Sequence, residues 1–251
     1  MEVHSENYLS APALEILEDI RRDYPVSLHS VGLSLGSATR VDPEHLARIT
    51  ALVRRVQPAL VSEHLAWGVV NHHYLADLLP LPLTEESLAT VCDNVMHVQD
   101  ILRRQILMEN PSTYLQFNNS TIPEPEFLAA LVARTGCGLI CDISNIFISA
   151  HNHGWNAIKY LEALPSYAIG EYHLAGGGAD ETGLLIDTHD RPVAAEVWAL
   201  FETALRIIGP RPNLIEWDAA LPALPELLAQ ATIAQQYLAR VSPEVHHAAT
   251  G

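Results

Sequence analysis

Seven short apolar runs along the chain each end close to a His or a carboxylate, and amphipathic stretches separate them. The clearest run covers residues 138–141, because a turn glycine, Gly136, precedes it and Asp142 follows it at once. Short continuous apolar runs are typical of strands buried on both faces of a parallel sheet. The other six runs end near His4, His29, His64, Glu109, His173 and Glu216.

The stretches between these runs carry the marks of amphipathic helices. The spacing of apolar residues and the prolines near the starts predict helices over residues 12–23, 42–56, 84–102, 124–134, 155–164, 192–208 and 221–240. Asp42 can cap one of them, and Pro43 suits its first turn. Strands that alternate with helices indicate a parallel sheet with the helices outside. The pattern therefore predicts an α/β protein with a TIM-like (β/α)8 barrel.

Chain length and composition agree with this fold. A chain of 251 residues that is 49% hydrophobic suits one barrel with a sizeable core. We expect a single domain over residues 1–241 and a disordered tail over residues 242–251. The net charge of −16 disfavours a nucleic-acid partner. The three cysteines show neither zinc-ribbon nor thioredoxin spacing, which suggests reduced thiols. The sequence has neither a signal peptide nor an apolar run near 18 residues. We therefore expect a cytoplasmic protein that does not enter the membrane.

The polar residues at the strand ends are the candidate chemistry, because the carboxyl ends of barrel strands meet at one place. Each alone has an ordinary explanation: a core histidine for His29, a surface ion pair for Glu109 and a polar hairpin for Asp187 and His189. Glu63 and His64 must point to opposite faces of a strand, and we expect His64 to enter the barrel. Asp142 is the strongest single candidate, since a carboxylate straight after a buried strand is costly unless it is paired or bound to metal.

Together these residues predict a metal site. The candidate ligands are His29, His64, Glu109, Asp142, His173, Asp187, His189 and Glu216. Four histidines and four carboxylates without a clear cysteine ligand favour iron, manganese or zinc. These eight candidate ligands are more than a single metal ion binds, so we expect a site of two or three ions.

Several phrases of the sequence, in order, closely resemble the multinuclear non-heme iron-dependent oxidative enzymes. They are residues 2–8 (EVHSENY), 62–67 (SEHLAW), 109–112 (ENPS), 173–176 (HLAG) and 187–189 (DTH). The resemblance implies a TIM-like barrel with two or three iron ions, in mixed Fe(II)/Fe(III) states, that uses dioxygen to oxidise cysteine residues of a ribosomally made precursor peptide. It also implies a small partner protein that recognises the leader of that peptide.

The resemblance also assigns roles to residues of this chain. It makes the eight candidates above iron ligands, adds Asn145 as a further ligand, and places Glu109, Asp142 and His173 at the catalytic centre. Two features are expected to shape the peptide entrance. They are the long connection over residues 67–83, which holds His72, His73 and Tyr74, and the glycines Gly176, Gly177 and Gly178.

The chain departs from the family pattern in two places. Ser144 stands where the family commonly has Asn, and the Gly-rich strand that commonly opens the family is absent before Glu2. Seven strands are counted where a closed barrel needs eight, so we expect a seam between the strands at Glu2 and Leu214. We also expect the natural reading frame to extend upstream by about one βα unit, roughly 25–30 residues.

Two other classes of function fit a barrel with such a site. One is a divalent-metal sugar isomerase or a phosphodiesterase-like hydrolase, and the other is a metal-binding barrel without turnover. A requirement for oxygen distinguishes the oxidase from both.

Overall fold

Seven parallel strands form the central sheet of the computed structural model, which describes residues 1–70 and 73–241. Each strand pairs in parallel with its neighbour in chain order. The strands are β1 (Glu2–His4), β2 (Ser27–Ser30), β3 (Leu60–His64), β4 (Leu107–Glu109), β5 (Gly138–Asp142), β6 (Ile169–Ala175) and β7 (Asn213–Glu216). The predicted strands and their parallel order are confirmed.

Eight helices surround this sheet in the described part of the chain. They are α1 (Ala11–Asp23), α2 (Pro43–Val56), α3 (Glu85–Leu102), α4 (Glu124–Thr135), α5 (Ile143–His153), α6 (Ala157–Ala163), α7 (Ala195–Ile207) and α8 (Leu224–Val241). Buried side chains such as Leu17 of α1, Leu88 of α3 and Phe201 of α7 belong to the same apolar core as Leu28 of β2 and Leu174 of β6. Within the described ranges, no helix has both the length and the apolar character needed to cross a bilayer.

The sheet curls into a nearly closed barrel with a seam. Strands β1 and β7 are its two edges, and they are not paired with each other in the described residues. The predicted position of the seam is therefore confirmed. Across it, the side chain of Glu2 on β1 reaches His173 on β6, with Oε1 3.4 Å from Nε2.

Helix α5 was not predicted from the sequence. It begins at Ile143, directly after β5, and the Oδ1 atom of Asp142 caps it by accepting a hydrogen bond from the backbone N–H of Asn145 at 2.7 Å. The isoleucines that follow Asp142 favour an extended chain, so the capping role of Asp142 is not visible beside its role as a candidate ligand. The helix predicted over 155–164 is α6, which begins after the cap Asn156.

Three connections contain short elements of their own. The first strand ends at His4, and a 3-10 helix (Ser5–Tyr8) follows it. The long connection after β3 is an antiparallel hairpin of Trp67–Val70 and His73–Leu79 rather than an open loop. A second, shorter hairpin joins Gly178–Ala179 to Leu185–Ile186 ahead of Asp187. Both hairpins lie on the side of the barrel where the candidate ligands collect.

Candidate metal centre

The carboxyl ends of the strands bring His, Glu and Asp side chains into one cluster. Three overlapping groups each place their ligand atoms within 4.8 Å of one another. The groups are His29–His64–Glu109, Glu109–Asp142–His173–Glu216 and Glu2–His29–His173–Glu216. We call the seven residues of these groups the strand-end cluster. Because the groups share members, the geometry suits more than one ion.

His29, His64 and Glu109 face one another at the ends of β2, β3 and β4. The Nε2 atoms of the two histidines are 3.2 Å apart, and the Oε2 atom of Glu109 lies 3.2 Å from the first and 3.6 Å from the second. On its other side, His64 donates from Nδ1 to the backbone oxygen of Ser30 at 3.3 Å, which leaves its Nε2 as a lone-pair donor. The Nδ1 atom of His29 lies 2.7 Å from the hydroxyl of Ser62, which holds that ring in position.

His173 lies at the centre of the other two groups. Its Nδ1 is 3.2 Å from Glu216 Oε1 and 3.6 Å from Glu109 Oε2, while its Nε2 faces Glu2 across the seam. Its side chain has no exposed surface. Both ring nitrogens thus point at carboxylates, and His173 connects the two halves of the strand-end cluster.

Asp142 and Asn145 hold the cluster from the start of α5. Asp142 uses Oδ1 as the helix cap, so Oδ2 remains for the cluster. Asn145 donates from Nδ2 to Glu109 Oε1 at 3.2 Å and to the backbone oxygen of Asn110 at 3.0 Å. Its own Oδ1 is buried without a hydrogen-bond partner among the described residues. Asn145 therefore orients Glu109 and also offers an oxygen of its own.

Asp187 and His189 form a separate pair at the rim of the cluster. The Nε2 atom of His189 is 2.8 Å from Asp187 Oδ1, and its Nδ1 donates to Asp218 Oδ2 at 2.9 Å. The backbone of the pair is not extended, because His189 has a left-handed conformation with φ of 48°. That turn bends the ring back onto Asp187, and the carboxylate of Asp218 orients it.

The charges of the strand-end cluster are poorly compensated without a cation. Burial, together with the neighbouring His64, holds the pKa of His29 well below its ordinary value. Burial raises the pKa of Glu109 well above its ordinary value, and burial with the nearby Glu216 raises the pKa of Asp142 to about 7. Burial by itself lowers the pKa of His173, but the carboxylates of Glu216 and Glu109 outweigh it and raise that pKa. Shifts of this kind are typical of functional sites.

The donor set fits metal ions. Among the described residues, the buried atoms of the cluster and of Asn145 that lack a hydrogen-bond partner are Glu2 Oε2, Glu109 Oε2, Asp142 Oδ2, Asn145 Oδ1, both ring nitrogens of His173 and Glu216 Oε2. Unsatisfied buried polar atoms are rare and costly, and here they converge on one place. Atoms that bind one ion at about 2.1 Å lie about 3.0–3.4 Å apart, which is close to the separations between His29, His64 and Glu109.

A pocket of about 410 Å³ opens onto the cluster, and we call it the metal pocket. Its lining includes His4, Asp218 and four residues of the strand-end cluster, together with Tyr74, Asp77 and Leu78 from the first hairpin. The four cluster residues are His29, His64, Glu109 and Glu216. Of the residues expected at the peptide entrance, Tyr74 lines this pocket, His73 lies exposed at the start of its hairpin strand, and His72 lies outside the described residues.

Two of the three glycines expected at the entrance, Gly176 and Gly177, pack against backbone, and Gly178 packs against the Arg191 side chain. A Cβ atom on Gly176 would come within 2.0 Å of the Arg191 oxygen, and one on Gly177 within 2.6 Å of the Ile186 oxygen. Their close approach holds the segment that carries Asp187 and His189. Their role in binding peptide stays a prediction.

Other residues near the cluster have roles that the sequence only partly indicated. Glu63 is buried, and burial raises its pKa; His64 lines the metal pocket, and Glu63 does not. Ser144 accepts a hydrogen bond from the Ala175 N–H at 2.7 Å and donates to the Ala175 oxygen, so it ties α5 to the end of β6. Glu2 and Asp218 were missed. The signal for Glu2 was its position two residues before His4, on the same face of a strand.

The comparisons with known proteins agree with this geometry. A family model described as the RiPP precursor modification enzyme MbnB/TglH/ChrH matches residues 1–239. The chain belongs to this family. A UPF0276 protein of Rhizobium meliloti is 51% identical over 245 residues, which is 95% of this chain and 79% of that protein. A UPF0276 protein of Caulobacter vibrioides is 50% identical over 242 residues, 95% of this chain and 86% of that protein. Membership of the family implies a precursor peptide as the substrate.

Solved structures of more distant proteins share the barrel. A D-tagatose 3-epimerase-like protein matches with a TM-score of 0.60 at 18% identity, over 96% of this chain and 88% of its own. A xylose isomerase-like TIM barrel protein from Mycobacterium smegmatis, in complex with magnesium, matches with a TM-score of 0.59 at 13% identity, over 93% and 80%. At these identities the likeness shows that this chain shares the TIM-barrel fold. It shows nothing about the chemistry of this chain.

Proposed function

We propose that the protein is an iron-dependent oxidase that uses dioxygen to modify cysteine residues of a ribosomally synthesised precursor peptide. The observation that carries the proposal is the sharing of ligands in the strand-end cluster. Glu109 belongs to two of the three groups, and His29, His173 and Glu216 also each belong to two. A single-ion isomerase or hydrolase needs no such sharing, whereas two or three adjacent ions do.

The donor atoms also bear on which metal is bound. They are imidazole nitrogens and carboxylate oxygens, a mixture that suits iron, and the three cysteines Cys92, Cys137 and Cys141 are buried and absent from the three groups. Bound iron would supply electrons for the reduction of dioxygen and a Lewis acid for the substrate thiolate. We propose that the three strand-end groups hold these ions, with Asp187, His189 and Asn145 as further ligands.

The residues around the metal pocket would bind and orient the peptide. The hydroxyl of Ser112 lies 3.4 Å from Asp187 Oδ2, and the hydroxyl of Tyr114 accepts a hydrogen bond from the Asp187 N–H at 3.1 Å. Both hydroxyls can also bond to a peptide backbone at the rim. Tyr74 and Leu78 of the hairpin line one side of the pocket. A cysteine held there lies next to the cluster, and such positioning lowers the barrier to reaction.

The test is metal analysis of protein purified without air, followed by reaction with a cysteine-containing peptide encoded beside the gene. We expect two or three irons per chain and a loss of hydrogen mass from the peptide that requires oxygen. A matched peptide with serine in place of cysteine should remain unchanged. Stoichiometric zinc in protein grown with ample iron, or equal modification of the serine peptide, would refute the proposal. Conversion of a substrate in the complete absence of oxygen would favour an isomerase or a hydrolase. We further expect a small leader-binding partner protein to increase the rate.

A further inference from the structure

A second cavity, of about 570 Å³, lies beside the metal pocket. One segment of chain, residues 111–115, forms the wall between the two. Thr113 and Leu115 line the second cavity, Ser112 and Tyr114 line the metal pocket, and Pro111 contributes to both. Alternate side chains of this segment thus face opposite sides, so the two spaces are separated by a single thickness of chain. A peptide whose cysteine occupies the metal pocket would bring a nearby side chain to the second cavity.

The walls of the second cavity are mostly apolar, but a buried carboxylic acid lies among them. Leu81, Leu83 and Phe117 are among the apolar residues that line it. Glu124, which also lines it, is buried, and its Oε1 accepts a hydrogen bond from the hydroxyl of Tyr160 at 2.5 Å. Within the described residues, the carboxyl group of Glu124 has the Tyr160 hydroxyl as its hydrogen-bond partner. The cavity therefore combines mostly apolar walls with one buried carboxyl group.

The position of Glu124 lets it hold either a proton or a charge. Burial raises its pKa to about 7, against the opposing effect of the hydrogen bond from Tyr160. Glu124 is also the first residue of α4, where the helix dipole favours a negative group. A buried carboxylate without a cationic partner is costly, and a bound cation removes that cost. Two exposed residues at the edge of the cavity, Glu126 and Lys159, remain in contact with water.

We propose that this cavity binds the side chain of a lysine or arginine of the precursor peptide, with its charged end at Glu124 and its aliphatic part along the apolar wall. The proposal rests on the proposed function, because it names a residue that the peptide carries near its cysteine. Long basic side chains bury their methylene groups against apolar surface while the charged end seeks a polar partner. The net charge of −16 also favours a cationic substrate segment. A purely apolar side chain would pack against the apolar walls, but it would bury the carboxyl group of Glu124 without giving it a new polar partner.

The first test uses small probes and does not depend on turnover. Nα-acetyl-lysine methylamide and its norleucine analogue differ by the charged group, and their binding to the full-length protein can be compared by NMR titration. We expect the lysine probe to bind about tenfold more tightly, which corresponds to about 1.4 kcal/mol. Glu124→Gln keeps the size of the side chain and should abolish the preference. Glu126→Gln, the same change at an exposed position of the same helix turn, should preserve it.

Two results would overturn the proposal. Equal binding of the lysine and norleucine probes to the unaltered protein is one, and this comparison holds even if Glu124→Gln fails to fold. A full lysine preference in folded Glu124→Gln is the other. Tighter binding of norleucine would assign the cavity to an apolar side chain instead.

A second test separates this proposal from the proposed function. Cysteine peptides with lysine, arginine or methionine at successive positions around the cysteine are compared in the oxygen-dependent reaction. We expect one position at which the basic residue lowers KM about tenfold without changing kcat, and Glu124→Gln should remove that difference. If every peptide reacts equally well, the function stands and the cavity proposal fails. If the lysine probe binds selectively but no cysteine peptide reacts, the cavity proposal stands and the function fails.

Discussion

Glu109→Gln is the most informative substitution in the strand-end cluster. Glu109 is 2% exposed and belongs to two of the three ligand groups, so its loss affects both. Glutamine keeps the shape but removes the charge and one acceptor oxygen. Only the group of Glu2, His29, His173 and Glu216 would remain intact. We therefore expect the metal content to fall from three ions to one, or from two ions to no more than one.

The loss should also appear as a loss of stability. At a free metal concentration of about 100 Kd, each bound ion stabilises the folded state by about 2.7 kcal/mol. For a chain of this length 1 kcal/mol changes Tm by about 2–4 °C, so two ions account for about 10–20 °C. Calorimetry with and without a chelator measures this difference. In the chelated protein, Glu109→Gln should leave Tm unchanged or raise it, because burial disfavours the charge of Glu109.

Glu124→Gln is the matched control, since it makes the same change at another buried glutamate, outside the three groups. It should keep the full metal content and the full effect of the chelator on Tm. If Glu109→Gln instead behaves like this control in both measurements, Glu109 is not a shared ligand and the arrangement of the cluster proposed above is wrong.

Two further predictions concern the residues around the ligands. Ser62→Ala should weaken metal binding about 10–100-fold in a chelator competition, because the ring of His29 loses the hydroxyl that orients it; unchanged affinity would contradict that role. In the chelated protein, the contribution of Asp142 to stability should fall as pH rises from about 4 to about 7, since its pKa is raised from 3.8 to about 7 and the folded state binds more protons at this group in this window. Asp142→Asn keeps the helix cap, so its free energy of unfolding in urea should rise relative to that of the unaltered protein across this window, and a constant difference between the two proteins would refute the assignment.

Much of the barrel follows from local patterns in the sequence. Buried strands such as β5 are short apolar runs that stop at a polar residue, and this signal needs no knowledge of distant contacts. The convergence of His29, Glu109 and His173 then follows from the rule that the strands of a parallel barrel end on one side. The helix boundaries are also local, because Asp42 and Asn156 cap α2 and α6 with their own side chains.

The remainder depends on contacts between residues far apart in the chain. Glu2 joins the cluster because its side chain reaches His173 on β6, and these two residues lie far apart in the chain. The left-handed backbone at His189 and the contact of its ring with Asp218, 29 positions away, are not visible in its local spacing with Asp187. Glu124 and Tyr160 are separated by 36 positions, and no motif joins them.

The wall formed by residues 111–115 has a consequence for how such an enzyme can diversify. Thr113 and Leu115 touch only the second cavity, whereas Ser112 and Tyr114 face the metal pocket. Substitutions at the first two positions can therefore alter which side chain is accepted without replacing a group next to the metal cluster. Selection for a new peptide and selection to retain the chemistry then act on different residues of the same short segment. For protein engineering, positions 113 and 115 are where a library aimed at new substrates should begin.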